Sequence, residues 1–246
     1  MKLREVGLDG MVSALELENL ADQPVLILDG EELSGAKQNR VPNSTILAPA
    51  KSTIRVPVSC VEAGRWAYRT EELESSGRAH FHSGRAAKLA SVAQHRELCG
   101  MPYADQRRVW DDINLLFAEL NAQSSTAAMT EIFEQRQEAL ERYAKEITSG
   151  PGQVGAVFAI GGRIEGAELF DRPATLSSLL NKLVQSYVIG ALVKKHPLGI
   201  EITAQHAWDF LETLRSPGWR SYPGIGIGTE LDLRTDEVIA RRLDAG

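Results

Sequence analysis

The sequence predicts an α+β fold with a hairpin-rich N-terminal sheet, a helical middle segment, and a C-terminal hairpin followed by a long buried helix. Three observations support this class. Residues 1–70 contain short runs of β-forming side chains separated by turn dipeptides. From about Gly84, apolar side chains recur every three to four positions. After Pro151, a strand pair precedes a long apolar stretch at helical spacing.

The N-terminal part is predicted to form two hairpins. Residues 24–28 and 31–33 flank Asp29-Gly30, a dipeptide typical of tight turns. Residues 44–47 and 53–58 flank a second turn that contains a proline. Pro57 has no backbone N–H to donate, so the returning strand is predicted to lie at a sheet edge or to carry a bulge.

The middle segment is predicted to form three amphipathic helices. Apolar stripes cover residues 86–93, 109–120 and 129–147, and the third helix is predicted to start near Ser125. The Ser-Gly-Pro-Gly sequence at 149–152 ends this helix. It is also the predicted boundary if residues 1–246 form two coupled lobes, 1–149 and 150–246, instead of one domain.

The C-terminal part begins with a predicted hairpin of residues 154–160 and 163–170 around Gly161-Gly162. A long and mostly buried helix starts at Pro173, because proline is favoured in the first helical turn. His196-Pro197-Leu198-Gly199 is predicted to end it. A short helix over 203–214 and one or two strands within 225–243 complete the chain.

Composition excludes several classes of protein. The chain has 246 residues, 43% of them apolar and 24% charged, which is enough apolar material for a core. A net charge of −6 makes nucleic acid an unlikely partner. The longest apolar runs, 154–160 and 187–193, are far shorter than the roughly 20 residues that cross a bilayer, so no membrane span is predicted. The N-terminus lacks the pattern of a secretory signal, and the two cysteines are predicted to be reduced. These features predict a cytoplasmic protein.

The densest polar cluster lies within residues 28–41. Glycines let a ligand approach the backbone closely, while carboxylates, amides and cations supply every kind of hydrogen-bonding group. This variety suits a sugar-phosphate ligand, although a solvated surface hairpin explains the same residues equally well. Glu31 and Glu32 are adjacent, so on a strand they point to opposite sides. The candidate ligand-binding residues of this cluster are Asp29, Gly30, Gly35, Lys37, Gln38, Asn39 and Arg40.

A second cluster follows a predicted strand and runs from Cys60 to Trp66. Phosphatase loops have five residues between the cysteine and the arginine that surround the anion, but only four residues separate Cys60 from Arg65. Glu62 would also repel an anion in such a loop. Cys60 is therefore either a nucleophile or, more simply, a buried small hydrophobic residue. Glu62, Arg65 and Trp66 are candidate pocket residues through charge and stacking.

Metal and dinucleotide sites are not predicted, and the sequence identifies no cofactor. His80 and His82 have no third ligand at a fixed spacing. The glycine-rich run at 224–228 leads into a strand pattern, whereas a dinucleotide-binding turn leads into a helix.

Two strings carry a family resemblance: VLILDGEELSGAKQNRV at 25–41 and VSCVEAGRW at 58–66. Together with residues 106–113 and 154–187, they resemble the ARG and rhodanese-phosphatase-superfamily-associated protein domain family. The resemblance covers most of the chain and implies a role in handling ADP-ribose or related nucleotides. It places the family motif on the two polar clusters described above.

Two hypotheses of different classes follow. In the first, the protein binds or processes an ADP-ribose-like nucleotide or sugar-phosphate. If it is a hydrolase, Glu31 or Glu32 activates water, Lys37 and Arg40 hold phosphate, and Trp66 stacks on a ring. In the alternative, the polar hairpin is a non-catalytic module for protein interaction or dimerisation. Homo-oligomerisation is compatible with both.

Overall fold

The computed structural model describes residues 1–7, 9–193 and 201–246, and it confirms the predicted α+β class. The strands are β1 Lys2–Glu5, β2 Ala14–Asn19, β3 Val25–Ile27, β4 Glu31–Gly35, β5 Arg40–Pro42, β6 Ile46–Ala48, β7 Ser52–Cys60, β8 Leu73–Ala79, β9 Gly155–Ile160, β10 Arg163–Leu169, β11 Arg220–Pro223, β12 Thr229–Arg234 and β13 Ile239–Asp244. The helices are α1 His82–Cys99, α2 Gln106–Glu119, α3 Met129–Gln135, α4 Gln137–Glu146, α5 Pro173–Val193 and α6 Ala204–Thr213.

The main sheet contains six antiparallel strands in the order β1-β2-β7-β5-β4-β8. Alternate side chains of β1 and β2 are buried, as expected for strands with one face on a core, whereas β4 and β5 are buried along nearly their whole length. Leu15, Leu17 and Val56 belong to this core, and Ile27 and Ile46 of the small β3-β6 sheet pack into it.

The two predicted N-terminal hairpins are wrong in their pairing. Glu31 N–H donates to the Leu28 carbonyl at 3.1 Å and Gly30 has φ +78°, so the predicted turn is present. However, β3 pairs with β6, whereas β4 pairs with β5 and β8. The β7 strand likewise pairs with β2 and β5 and not with β6. The turn fixes a local chain reversal but not the partner of either strand.

The predicted edge position of Pro57 is also wrong, because β7 lies between β2 and β5. Pro57 is opposite Ala14, the first residue of β2, and it lies just beyond the position paired with Pro42, the last residue of β5. The residue without a backbone N–H therefore lies where the hydrogen-bond ladders to β2 and β5 both end. A proline is tolerated at this position, even though β7 is a central strand.

The two edge strands of the main sheet approach each other, so the sheet is strongly curled. Glu72, just before β8, bridges the edges: its carboxylate lies 3.4 Å from Arg4 Nε and 3.8 Å from Lys2 Nζ. This seam lies beside the candidate site described below.

The helices build a second core, to which α2, α3, α4 and α5 contribute buried apolar side chains. The predicted third helix is in fact two helices, α3 and α4, separated at Arg136, where φ is −114° and ψ is 12°. The Arg136 guanidinium donates to the Leu120 carbonyl at the end of α2. This tertiary contact holds the backbone at the break.

The C-terminal part confirms the predicted hairpin, with β9 and β10 paired and a register irregularity between Ile164 and Gly166. Helix α5 starts at Pro173 as predicted and is long and apolar enough to cross a membrane by length and composition, but half of its apolar window is buried inside the protein. The predicted helix stop at 196–199 lies outside the described residues. The β11-β12-β13 sheet confirms strands in the tail.

Contacts join the segments on either side of residue 150. Arg96 of α1 pairs with Glu230 of β12 at 2.7 Å, and Lys182 of α5 pairs with Glu31 of β4 at 2.7 Å. Whether these segments are one domain or two coupled lobes stays a prediction.

Candidate functional site

A buried carboxylate, Glu62, organises most of the second polar cluster. It follows β7 and accepts hydrogen bonds from the Asn39 backbone N–H at 3.1 Å, from Arg65 Nη2 at 2.7 Å and from Thr126 Oγ1 at 2.9 Å. Burial alone would raise the pKa of Glu62, but these donors outweigh it and lower the pKa below its ordinary value. Glu62 is therefore an anion at neutral pH, and we call these four residues the Glu62 network.

Arg40 lies next to this network and is fully buried. Its Nη1 donates to Gln38 Oε1 at 2.7 Å, and its Nη2 lies 3.7 Å from Glu5 Oε1. Within the described residues, Arg40 Nε and Nη2 and Glu5 Oε2 have no hydrogen-bond partner. Burial lowers the pKa of Arg40 from its ordinary value. Buried polar atoms are almost always paired, so these three atoms point to water or a ligand as the missing partner.

A surface cleft of about 500 Å³ opens beside Glu5, and we call it the Tyr68 cleft. Its walls are formed by the end of β1 and the chain segment before β8. Tyr68 is 54% exposed, so one side of its ring is accessible to a ligand. Arg69 Nη2 lies 3.7 Å from Glu62 Oε1, which connects the cleft to the Glu62 network. The lining residues are Arg4, Glu5, Gly7, Tyr68, Arg69, Thr70 and Glu71.

Aromatic and cationic side chains alternate at the rim of this cleft. Lys37 Nζ lies 5.3 Å from the ring centre of Trp66 and 5.1 Å from that of Tyr68. The Arg40 guanidinium lies 5.4 Å from the Trp66 ring centre. Trp66 is 46% exposed. Because Arg40 is buried, the surface here consists of the half-exposed Trp66 and Tyr68 rings together with Lys37, which suits a ligand that carries both a ring and an anionic group.

A second cleft, of about 440 Å³, shares one residue with the first. We call it the Glu131 cleft. It has no aromatic lining residue, and its lining residues are Arg69, Thr130, Glu131, Glu134 and Gln135. Arg69 therefore stands between the two clefts.

Glu32 lies behind the Glu62 network and is fully buried. Its carboxyl group accepts hydrogen bonds from Ser76 Oγ at 2.9 Å and from Asn39 Nδ2 at 3.4 Å. Burial raises the pKa of Glu32 above its ordinary value. Glu32 has no exposed surface and lines neither cleft, so its carboxyl group is not in contact with a ligand or water bound there. The role of Glu32 as a general base stays a prediction, and its environment does not favour it.

The remaining residues of the first polar cluster lie elsewhere. Glu31 points away from Glu32 and binds Lys182 at 2.7 Å and Ser75. Asp29 pairs with Lys88 of α1. Burial alone would raise the pKa of Asp29, but attraction to Lys88 outweighs burial and lowers the pKa. The structure therefore divides the predicted cluster between two places.

Cys60 ends β7 and is fully buried. Gln106 of α2 holds its backbone, accepting from Cys60 N–H at 2.7 Å and donating to its carbonyl at 2.9 Å. Burial raises the pKa of the Cys60 thiol, whereas nucleophilic cysteines have lowered values. The nucleophile role of Cys60 stays a prediction without support from its surroundings.

Gly35 has a structural reason to be glycine. Its φ is +127°, and a Cβ at this position would collide with Thr70 Oγ1 and the Glu72 carbonyl. The close approach that we attributed to a ligand is thus made by the chain itself. Gly30 similarly packs against Arg85.

Sequence reasoning missed Thr126 of the Glu62 network and the residues that line the clefts, among them Glu5, Tyr68 and Arg69. The alternation of aromatic and basic side chains in Trp66-Ala67-Tyr68-Arg69 was an available signal for the last two. Glu5 offered no such signal, because the sequence does not distinguish a buried glutamate in a short strand from a solvent-exposed glutamate. Within the described residues, no group of three or more His, Cys, Asp or Glu side chains is arranged to hold a metal ion.

The structure is therefore that of an α+β protein in which a curled antiparallel sheet holds a buried charged network beneath two polar clefts. The chain belongs to the ARG and Rhodanese-Phosphatase-superfamily-associated Protein domain family, which matches residues 1–245. The family predicted from residues 25–41 and 58–66 is therefore confirmed. Comparisons with curated proteins and with solved structures found no match.

Proposed function

We propose that this protein binds an ADP-ribose-like nucleotide or sugar-phosphate in the Tyr68 cleft. The observation that carries the proposal is the lining of this cleft, where two arginines and an exposed tyrosine ring lie beside the buried and incompletely hydrogen-bonded pair of Arg40 and Glu5.

The cleft surface has the chemistry that such a ligand requires. Arg4 and Arg69 line it and can bind phosphate, since a guanidinium matches phosphate oxygens with two parallel donors. Tyr68 exposes a ring on which a base can stack. The family name, which refers to rhodanese and phosphatase proteins, supports a ligand with phosphate-like groups.

The proposal is one of binding, and hydrolysis is a separate question. Glu31 forms an ion pair with Lys182, and burial raises the pKa of Glu32. Neither residue is among those that line the two clefts. If turnover occurs, Glu31→Gln and Glu32→Gln test the predicted base.

The proposed location is the cytoplasm. Both cysteines, buried Cys60 and exposed Cys99, are unpaired thiols, which supports a reducing compartment.

Calorimetric titration with ADP-ribose, AMP, NAD and inorganic phosphate tests the proposal, alongside thermal melting at the same concentrations. We expect a selective response to ADP-ribose. At about 100 times the dissociation constant, a ligand stabilises the folded state by about 2.7 kcal/mol, which is visible as a raised melting temperature.

Tyr68→Ala should weaken ADP-ribose binding about tenfold, because stacking of a base on an aromatic ring contributes about 1–3 kcal/mol. Tyr143→Ala is the matched control: Tyr143 is 39% exposed on α4 and does not line either cleft. An equal effect of the two substitutions would contradict the assignment of the cleft.

A flat response to every ligand, in both calorimetry and melting, would contradict the proposal. It would favour the alternative function, a non-catalytic interaction or dimerisation module. In that case Lys37→Glu should change the oligomeric mass or partner binding, since the polar hairpin would then be the docking surface.

A further inference from the structure

We infer that the ligand spans both clefts, with its aromatic ring in the Tyr68 cleft, its anionic group at Arg69, and a hydroxyl-rich group in the Glu131 cleft. This inference rests on the proposed function and names the arrangement of the ligand in the site. In this arrangement, Glu131 determines selectivity for the hydroxyl-rich group of the ligand.

Arg69 connects the two halves of the site, because its side chain lines both clefts. The side chain is 52% exposed, so its guanidinium is accessible to a ligand. Its contact with Glu62 is long, at 3.7 Å, and Glu62 already accepts shorter hydrogen bonds from Arg65, Asn39 and Thr126. Arg69 can therefore bind an anion while Glu62 stays fully hydrogen-bonded.

The two clefts differ in chemistry. Both clefts have two carboxylates and a hydroxyl, but in the Tyr68 cleft two arginines balance the charge of Glu5 and Glu71, and an exposed aromatic ring is added, which favours a ligand with a ring and a negative charge. The Glu131 cleft has two carboxylates, a hydroxyl and an amide besides Arg69. Carboxylates repel phosphate but accept hydrogen bonds from neighbouring hydroxyls, as acidic residues do on the ribose of bound nucleotides. The Glu131 cleft thus favours a sugar and disfavours a second phosphate.

The order of chemical groups along the clefts matches one kind of molecule. An aromatic base, an anionic linker and a terminal sugar must follow each other, with the linker at Arg69. A mononucleotide fills only the first half, and a sugar phosphate only the second half. The favoured ligand class is a nucleoside diphosphate joined to a sugar.

The test compares three probes by calorimetry: AMP for the first half, ribose 5-phosphate for the second, and ADP-ribose for the whole. We expect ADP-ribose to bind at least about tenfold more tightly than AMP, because hydrogen bonds to a charged group contribute at least that much. Arg69→Ala should weaken all three probes, because Arg69 binds the anionic group in each.

Glu131→Gln separates the two clefts. It keeps the size of the side chain and removes the charge, and we expect it to weaken ADP-ribose about tenfold while AMP binding is unchanged. Glu138→Gln is the matched control, since Glu138 is an exposed glutamate in the first turn of α4.

Tyr68→Ala should weaken the binding of AMP and of ADP-ribose by the same factor and leave the binding of ribose 5-phosphate unaffected.

The outcomes distinguish the inference from the proposed function. If AMP and ADP-ribose bind equally, or if Glu131→Gln leaves ADP-ribose binding unchanged, the two-cleft arrangement is overturned while nucleotide binding stands. If neither AMP nor ADP-ribose binds to the unsubstituted protein, both fail together.

Discussion

Two buried charged regions of this protein differ in how completely their cations are paired. In the first, the Arg96 cluster, Arg96 and Arg241 lie between Glu230 and Asp232 of β12. Arg96 Nη2 donates to Glu230 at 2.7 Å and to Ser44 at 3.0 Å, and Arg241 holds Asp232 at 2.5 and 3.0 Å. In the second, beside the Glu62 network, Arg40 has one hydrogen bond from its guanidinium and two nitrogens without a hydrogen-bond partner in the described chain.

This difference separates a structural role from a binding role. The Arg96 cluster joins α1 to the C-terminal sheet, and its two arginines donate to protein acceptors, although Glu230 Oε1 has no hydrogen-bond partner within the described residues. Arg40 is equally inaccessible to solvent but has two guanidinium nitrogens without a hydrogen bond, close to the wall of a cleft. An unpaired buried donor costs free energy, so Arg40 contributes less to stability than Arg96 does.

The sharpest test of the comparison is Arg96→Ala. Removing one partner of a buried ion pair leaves the others as uncompensated charges, so we expect the free energy of unfolding to fall by about 3–5 kcal/mol. Chemical denaturation measures this loss, with exposed Arg142→Ala on α4 as the control. A loss below about 1 kcal/mol would mean that the Arg96 cluster is not structural.

The next largest effect is a pH dependence of stability, which we expect from His80. This histidine is buried beside the ion pair of Lys88 and Asp29. Burial lowers its pKa from 6.5 to about 3, and Lys88 and Arg85 add to the shift while Asp29 opposes it. Below pH 6.5, the unfolded chain therefore takes up a proton that the folded chain refuses until about pH 3. Stability should fall by about 1 kcal/mol per pH unit as the pH drops through this window.

Denaturation curves at several pH values between 6.5 and 4 check this effect. His80→Gln should flatten the dependence, whereas His206→Gln, at an exposed histidine, should leave it in place. A dependence that is unchanged in His80→Gln would assign the acid sensitivity to another group.

Arg40→Met should have the smallest effect on stability, about 1–2 kcal/mol, because Arg40 makes one hydrogen bond and only a long contact with Glu5, whose carboxylate keeps the hydrogen bond from the Lys37 backbone N–H. Nucleotide binding should be lost in the same variant, as measured by calorimetry. If Arg40→Met costs as much stability as Arg96→Ala, the two regions do not differ in the way described above.

The fold was predictable where the signal is local. The β9–β10 hairpin and the start of α5 at Pro173 follow from a Gly-Gly turn and a first-turn proline. Strand partners were not predictable in the same way: the Asp29-Gly30 turn is real, yet β3 and β4 belong to different sheets. The break at Arg136 depends on the Leu120 carbonyl, which lies on another helix and leaves no trace in the local pattern.

The candidate site was predictable in part for the same reason. Asn39, Arg40, Glu62 and Arg65 come together as expected, because β5 pairs directly with the end of β7. Asp29 and Glu31 lie three positions and one position from Glu32, but they belong to ion pairs with α1 and α5. A run of polar residues in a sequence does not reveal which of its side chains will form ion pairs with a helix.

The Arg96 cluster also has a consequence for the order of folding. Arg96 lies 134 residues before Glu230, and Arg241 Nη1 donates to the Asn43 carbonyl across 198 residues. Until β12 and β13 reach α1, Arg96 lacks both carboxylates with which it pairs in the folded protein. Contacts of such large sequence separation form slowly, so the docking of the C-terminal sheet is expected to be the rate-limiting step. During synthesis, α1 is therefore expected to complete its ion pairs only after β12 and β13 have left the ribosome.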